Sequence, residues 1–183
     1  MEFSDQDLTR EIRSGSKVAF EKLVSRYGRL VHRIAFGFTG DRESAMDVAQ
    51  DTFLKVHTRL GTFREDGDLR NWIARIAAHE ALNLRRAARR HPTSELDETL
   101  FLDPDPPQDE RLHERETREA LHRSLATLSP RQRLAVVLRY FQGMSPREIG
   151  AVLECSEGTA RSILFRSLRR LRAVLVESEG SLP

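Results

Sequence analysis

Arg75, His79, Asn83, Arg86 and Arg90 recur at intervals of four, four, three and four residues, which sets them on one face of a helix. Guanidinium groups bind phosphate, while His and Asn side chains hydrogen-bond base edges, so the chemistry this face offers is nucleic-acid recognition. Arg89 adds a further cation, and Trp72, near the start of the same helix, offers a plane on which a base can stack, although a lone Trp is more often core. A plain solvated face is the competing reading. Against it, residues 70–90 carry six arginines and a single acid, Glu80, and like charges three and four residues apart repel unless something binds them.

A second constellation lies towards the C-terminus. Ser145-Pro146 with Glu148, then Ser156 with Thr159, are two helix-start signals in close order, and only about three residues separate the helices they open. That spacing predicts a helix-turn-helix. Ile149, Val152, Leu153, Ala160, Ile163 and Leu164 fall between the two helices, which leaves Glu157, Arg161, Ser162, Phe165 and Arg166 facing a DNA groove or solvent. Such pairs also serve as protein contacts, but the arginines at 161, 166, 169 and 170 favour nucleic acid.

A third pattern is of another kind. On a helix running from Asp41 to about Gly61, Asp47, Gln50, Asp51, Leu54 and Thr58 form the outward stripe, while Val48, Ala49, Thr52, Val56 and Leu60 face in. Leu54 is thus an exposed leucine among acids, a feature that needs no explanation on its own.

Constellations for bond-breaking chemistry are missing from the sequence. The six histidines are scattered, without a His-x-x-x-His pair to make a metal face, and there is no Walker loop, dinucleotide fingerprint or nucleophile elbow. The densest carboxylates lie in a proline-rich stretch, where nothing fixes an acid and a base at working geometry. The one cysteine, Cys155, builds neither a disulfide framework nor a thiolate metal cluster. No cofactor and no enzymatic activity are expected.

The elements that position these residues are all helical. The apolar spacing predicts helices over about 5–14, 16–38, 41–61 and 69–90, and no period-two strand is evident. Residues 91–109, with Asp103-Pro104-Asp105-Pro106-Pro107, are too acidic and proline-rich to pack and read as a flexible linker. Beyond it Leu121, Leu125 and Leu128 mark a helix, Ser129-Pro130 opens another that Gly143 closes, and the helix-turn-helix follows. The fold class is therefore all-α, with a domain over 1–90, an acidic linker over 91–109 and a second domain over 110–183. Charge follows this division: seven acids and no Lys or Arg from 95 to 110, then eleven arginines against four acids from 118 to 172. With 183 residues, 39% of them apolar, the chain supports modest cores and no run long enough for a membrane span. Its acidic, polar N-terminal residues are unlike a signal peptide, so the cytoplasm is expected.

Taken in order, several segments resemble one family. Asp47-Val48-Ala49-Gln50-Asp51-Thr52-Phe53-Leu54-Lys55-Val56, Arg70-Asn71-Trp72-Ile73-Ala74-Arg75-Ile76-Ala77 and Arg85-Arg86-Ala87-Ala88-Arg89-Arg90 look like the N-terminal domain of extracytoplasmic-function sigma factors. Leu128 to Arg133, Gly143 to Ile149 and Ser156 to Ser162 look like their C-terminal domain. Together the resemblance spans about residues 5–90 and 110–175. It departs from the family's commonest residues at His79, Asn83, Gly150, Glu154, Ile163 and Phe165, where Asn, Asp, Ala, Gly, Arg and His are usual.

The resemblance implies a set of roles. Asp47, Gln50, Asp51, Leu54 and Thr58 would dock on the clamp helices of the largest subunit of bacterial RNA polymerase. Trp72, Arg75, His79, Asn83, Arg86, Arg89 and Arg90 would recognise and help melt the −10 element of promoter DNA, with the loop over 62–68 receiving a flipped base. Ser156, Glu157, Thr159, Arg161, Ser162, Phe165 and Arg166 would read the −35 element while the same domain rests on the polymerase flap. The acidic linker would thread towards the active-site cleft, and an anti-sigma factor would control the whole. The alternative is a stand-alone helix-turn-helix regulator that binds DNA without polymerase; an enzyme using the arginine face to hold nucleic acid would need a metal or nucleophile that the sequence does not offer.

Overall fold

The computed structural model describes residues 3–64, 66–90 and 123–179, and the side chains of all these except 85–90 and 175–179. The linker over 91–109, its acidic charge and the helix beginning at Leu121 therefore lie wholly or partly outside the described residues. Among the described residues every regular element is helical.

Each N-terminal helix starts where a polar side chain can replace a missing backbone acceptor. Helix α1 (Asp5–Arg13) is opened by Ser4 and Asp7 in a reciprocal capping box. Ser16 caps α2 (Lys17–Thr39), which stops at Gly40 with φ 85°. Asp41 then caps α3 (Arg42–Arg59) by accepting from the Ser44 N–H at 2.7 Å. A 3-10 turn over Leu60–Thr62 leads to α4 (Leu69–Arg90). The four helices bury Leu8, Leu23, Val31, Ile34, Phe38, Val48, Val56, Leu60, Ile73, Ala77 and Ala81 in one core.

Polar anchors fix the edges of this unit. The Arg13 guanidinium on α1 donates to the Leu60 and Phe63 carbonyls, tying the start of the loop over 62–68 to the helix below it. The Phe63 ring then packs 5.3 Å from that of Trp72. At the N-terminus, the Tyr27 hydroxyl donates to Asp5 at 2.6 Å, and burial followed by the Asp5 carboxylate holds that phenol well above its ordinary range.

The C-terminal unit repeats the start signal three times. Ser129 with Gln132 opens α5 (Pro130–Val136), Ser145 with Glu148 opens α6 (Pro146–Val152), and Ser156 opens α7 (Glu157–Glu179) by accepting from the Thr159 N–H. Proline stands in the first turn of α5 and of α6, where its missing N–H costs nothing. Helix α5 does not end cleanly: Val137–Phe141 form a π-helical turn. The chain leaves this turn through Gly143 at φ 68°, and the Met144 N–H donates to the Leu138 carbonyl. The extra residue turns Val137 and Leu138 inwards and leaves Tyr140 and Phe141 exposed.

The two units are packed against each other in a single hydrophobic cluster that runs from Leu8 to Leu164. Helix α2 meets α5 and the π-helical turn, and α4 meets α6. Gly37 permits the first contact, since a Cβ at that position would stand 2.9 Å from Val137 Cγ1.

Candidate nucleic-acid interfaces

Helix α4 presents two very different sides. Its inner side places Leu69, Ile73, Ile76 and Ala77 in the core. Glu80, the single acid among the six arginines of residues 70–90, is also buried and forms an ion pair with Lys55 of α3. The acid is thus removed from the surface, and the outer side is left without a negative charge of its own.

That outer side meets the C-terminal unit along its first turns. The Arg70 guanidinium donates to the Gln142 carbonyl at 2.7 Å, and the Asn71 amide donates to the Glu148 carboxylate at 3.3 Å. Two turns further on, His79 Nε2 lies 3.8 Å from a Glu154 carboxylate oxygen. Arg75, between them on the same face, is half-buried with its Nε enclosed and without a hydrogen-bond partner. Asn83 is exposed, and the side chains of Arg86, Arg89 and Arg90 lie outside the described residues. Trp72 is half-buried against the core and Phe63, so one of its faces is already covered.

Glu148 serves both units. Its carboxylate accepts from the Ser145 N–H at 2.7 Å as the N-terminal cap of α6, and the Ser145 bonds, with a smaller contribution from Asn71, hold its pKa below the ordinary 4.5.

Helix α7 turns the residues expected to read DNA outwards. Ile149, Val152, Leu153, Ala160, Ile163 and Leu164 are all buried between α6 and α7, while Ser156, Glu157, Thr159, Arg161, Ser162, Phe165 and Arg166 are exposed. Phe165 is 68% exposed, so it is not a core residue; Ile163, at 6%, is one. Arg161 is steadied by Glu157 one turn earlier at 3.1 Å, and Ser156 and Thr159 share a hydroxyl contact of 2.8 Å at the helix start. Arg161, Ser162, Phe165 and Arg166 line one open concavity. The turn before α7 is made without glycine, by Glu154 at φ 53°. Gly150, by contrast, is required by close approach: a Cβ there would stand 2.8 Å from the Cys155 carbonyl oxygen.

On α3, Asp47, Gln50, Asp51, Leu54 and Thr58 are all exposed, with Leu54 at 59%. Met46, 58% exposed, extends the same apolar line towards the N-terminus in steps of four residues. The sequence holds that spacing, but methionine is so often a core filler that exposure alone identifies it.

Two family models match this arrangement, Sigma-70 region 2 over residues 23–91 and Sigma-70 region 4 over residues 118–171. The chain is 35% identical over 172 residues to the RNA polymerase sigma-H factor of Pseudomonas aeruginosa, covering 89% of each chain. It is 34% identical to the ECF RNA polymerase sigma factor SigM of Mycobacterium tuberculosis over 95% of this chain and 86% of the relative. The chain belongs to the extracytoplasmic-function (ECF) RNA polymerase sigma factors. Among solved structures, the sigma factor is similar to CnrH, determined in complex with the cytosolic domain of CnrY, with a TM-score of 0.72 and 26% identity over 94% of this chain and 97% of that one. The sigma factor RpoE of Bartonella quintana, at 22% identity and a TM-score of 0.68, shares the fold over 85% of this chain and 96% of its own. The match of both regions disfavours a stand-alone helix-turn-helix regulator, and sigma factors are not a family of enzymes. No described helix of this sigma factor is long and apolar enough to cross a membrane.

Proposed function

We propose that this sigma factor divides promoter recognition between its two units and docks on core polymerase through α3. In this reading Asp47, Gln50, Asp51, Leu54 and Thr58 rest on the clamp helices of the largest subunit. Trp72, Arg75, His79 and Asn83, continued by Arg86, Arg89 and Arg90, engage the −10 element. Arg161, Ser162, Phe165 and Arg166 enter the major groove at the −35 element, with Ser156, Glu157 and Thr159 at the phosphate-facing start of the helix. The domains run over 1–90 and 110–183, with 91–109 as the acidic connection, and the C-terminal unit also touches the polymerase flap. The protein performs no chemistry, uses no cofactor, acts in the cytoplasm and is held in check by an anti-sigma protein.

The observation that carries this reading is the outward face of α7. Four side chains suited to a groove are exposed there together, while every residue expected between α6 and α7 is buried. Phe165 adds an apolar contact of the sort that reads a thymine methyl. The test is transcription by purified bacterial core polymerase from a library of randomised promoters, with and without the protein. Transcripts from templates sharing two spaced motifs are the expected result. No transcripts, together with tight binding of duplex DNA by the protein alone, would remove the reading.

A further inference from the structure

Helix α1 carries none of the residues assigned above to promoter or polymerase, yet it is firmly held. At its start Asp5 accepts from Arg26 at 2.7 Å and from the Tyr27 hydroxyl at 2.6 Å, and further along Leu8 and Ile12 are buried. Its last residue, Arg13, therefore stands on a fixed footing.

The Arg13 guanidinium reaches residues 47 and 50 positions later in the chain, donating to the Leu60 carbonyl at 3.3 Å and to the Phe63 carbonyl at 2.5 Å. The Leu60 carbonyl already accepts from the Phe63 N–H at 3.1 Å where the 3-10 turn closes, so that turn does not need the guanidinium. What the charged fork adds is a hold on Phe63, through a charge-assisted hydrogen bond of the stronger kind.

Phe63 passes this hold to α4. Its ring is buried, with its centroid 5.3 Å from that of Trp72 and the two planes at 53°. It also abuts Gly67, where a Cβ would stand 3.1 Å from Phe63 Cε2 and 3.0 Å from the Arg64 carbonyl oxygen. The Gly67 N–H in turn donates to that carbonyl at 2.9 Å. The ring is thus set between Trp72 and a turn with no room for a side chain, while its backbone is held from α1. Trp72 is half-buried, so the plane it offers a base depends on where Phe63 lies against it.

We propose that Arg13 is a positioning residue for −10 recognition: without touching DNA, it holds Phe63 against Trp72 and so fixes the indole on which a base stacks. The role rests on the assignment of Trp72 to the −10 element.

Trp72 is the single tryptophan of the chain, so the indole emission of the full-length protein reports on this contact alone. Acrylamide should quench that emission more steeply in Arg13→Met than in the parent. Initiation is then measured with core polymerase on a template recovered from the randomised library, with single abasic sites placed in turn along each strand of the −10 element. Stacking needs a base but not a particular one, so removing the base that lies on Trp72 should lower initiation by the parent at least about fivefold. Arg13→Met should lose most of that penalty. Each penalty is a ratio between two templates for one protein, and a variant that is merely less stable lowers both alike and leaves the ratio unchanged. Base substitutions in the −35 element should carry the same penalties in variant and parent. Arg13→Lys, a point donor without the fork, should fall between the two, and it carries the same comparison if the methionine variant does not fold.

An unchanged abasic penalty in the Arg13 variants overturns the proposal, and so does unchanged quenching. Trp72→Ala separates the two ways of failing. If it keeps the parent's penalties, or the parent shows none, the assignment of Trp72 to the −10 element fails and the role of Arg13 falls with it. If Trp72→Ala removes the penalty and the Arg13 variants do not, Trp72 recognises DNA without help from Arg13.

Discussion

Lys55 of α3 and Glu80 of α4 form an ion pair whose carboxylate side chain is 9% exposed and whose ammonium side chain is 37% exposed. The pair joins two helices whose outer sides differ: α3 carries an acidic stripe and α4 a cationic face. Removing the ammonium strands a buried carboxylate, which generally costs several kcal/mol, less here because Lys55 is partly solvated. Lys55→Ala should therefore lower stability by about 2–3 kcal/mol. Lys55→Met with Glu80→Leu should recover most of the loss. Urea unfolding of the two variants checks this, and a double variant weaker than the single one would contradict it.

Glu154 holds a left-handed conformation, φ 53°, in the turn of the helix-turn-helix. An L-residue there carries a penalty of about 1–2 kcal/mol that glycine lacks. Glu154→Gly should raise the thermal midpoint by a few degrees. Gly150 should behave in the opposite sense. Its Cβ would meet a backbone carbonyl at 2.8 Å, an obstacle that cannot rotate away, so Gly150→Ala should cost about 1–3 kcal/mol. Calorimetry on the two single variants decides both signs at once.

These two positions also mark what the sequence could and could not say. Helix starts were legible because Ser4, Ser129 and Ser145 each have a partner three residues on, and all three form reciprocal capping boxes. The exposed and buried sides of α3, α6 and α7 followed from the 3.6-residue period. The π-helical turn over Val137–Phe141 did not, because one extra residue in a turn leaves no local composition signal. Nor did the approach of His79 to Glu154 or the bonds of Arg70 and Asn71 to the second unit: amphipathic spacing tells which side of a helix is polar, not whether another polar surface lies on it. Glu80 reads as a lone acid in an arginine-rich helix, and only the position of Lys55 on the neighbouring helix shows that it is turned inwards.

Glu148 ties acid stability to both units. Its folded-state pKa is depressed below the ordinary value by bonds from Ser145 and then Asn71, so the unfolded chain takes up this proton first as pH falls. The contribution is fully present above the ordinary value of 4.5 and is lost as pH falls below it through the folded value. Glu148→Gln should lower stability at pH 7 and flatten its fall between pH 5 and pH 3. An unchanged slope would show that the carboxylate is not the group that titrates.

The stripe on α3 predicts a separation of binding from folding. Gln50 and Leu54 are exposed and leave the core when altered no less filled, so Leu54→Asp with Gln50→Ala should keep the unfolding midpoint within about 0.5 kcal/mol of the parent. Association with core polymerase should weaken by roughly tenfold or more, the scale set by an exposed apolar anchor. Met46→Asp should act in the same direction with a smaller effect. Normal polymerase binding by the double variant would remove the docking role of this stripe.

Arg161 offers the sharpest test of the −35 assignment because its guanidinium is exposed, preset by Glu157 and placed one turn into α7. A groove-facing arginine contributes about 1–3 kcal/mol of base discrimination. Arg161→Ala should cut initiation at promoters that depend on the upstream element by about tenfold or more, and leave templates that lack this element unaffected. Arg172, exposed on the same helix and far from its start, serves as the control: Arg172→Ala should change initiation at both kinds of template little and equally. Equal loss from Arg161→Ala on both templates would mean that the residue binds DNA without reading it, and α7 would then contribute affinity in place of sequence choice.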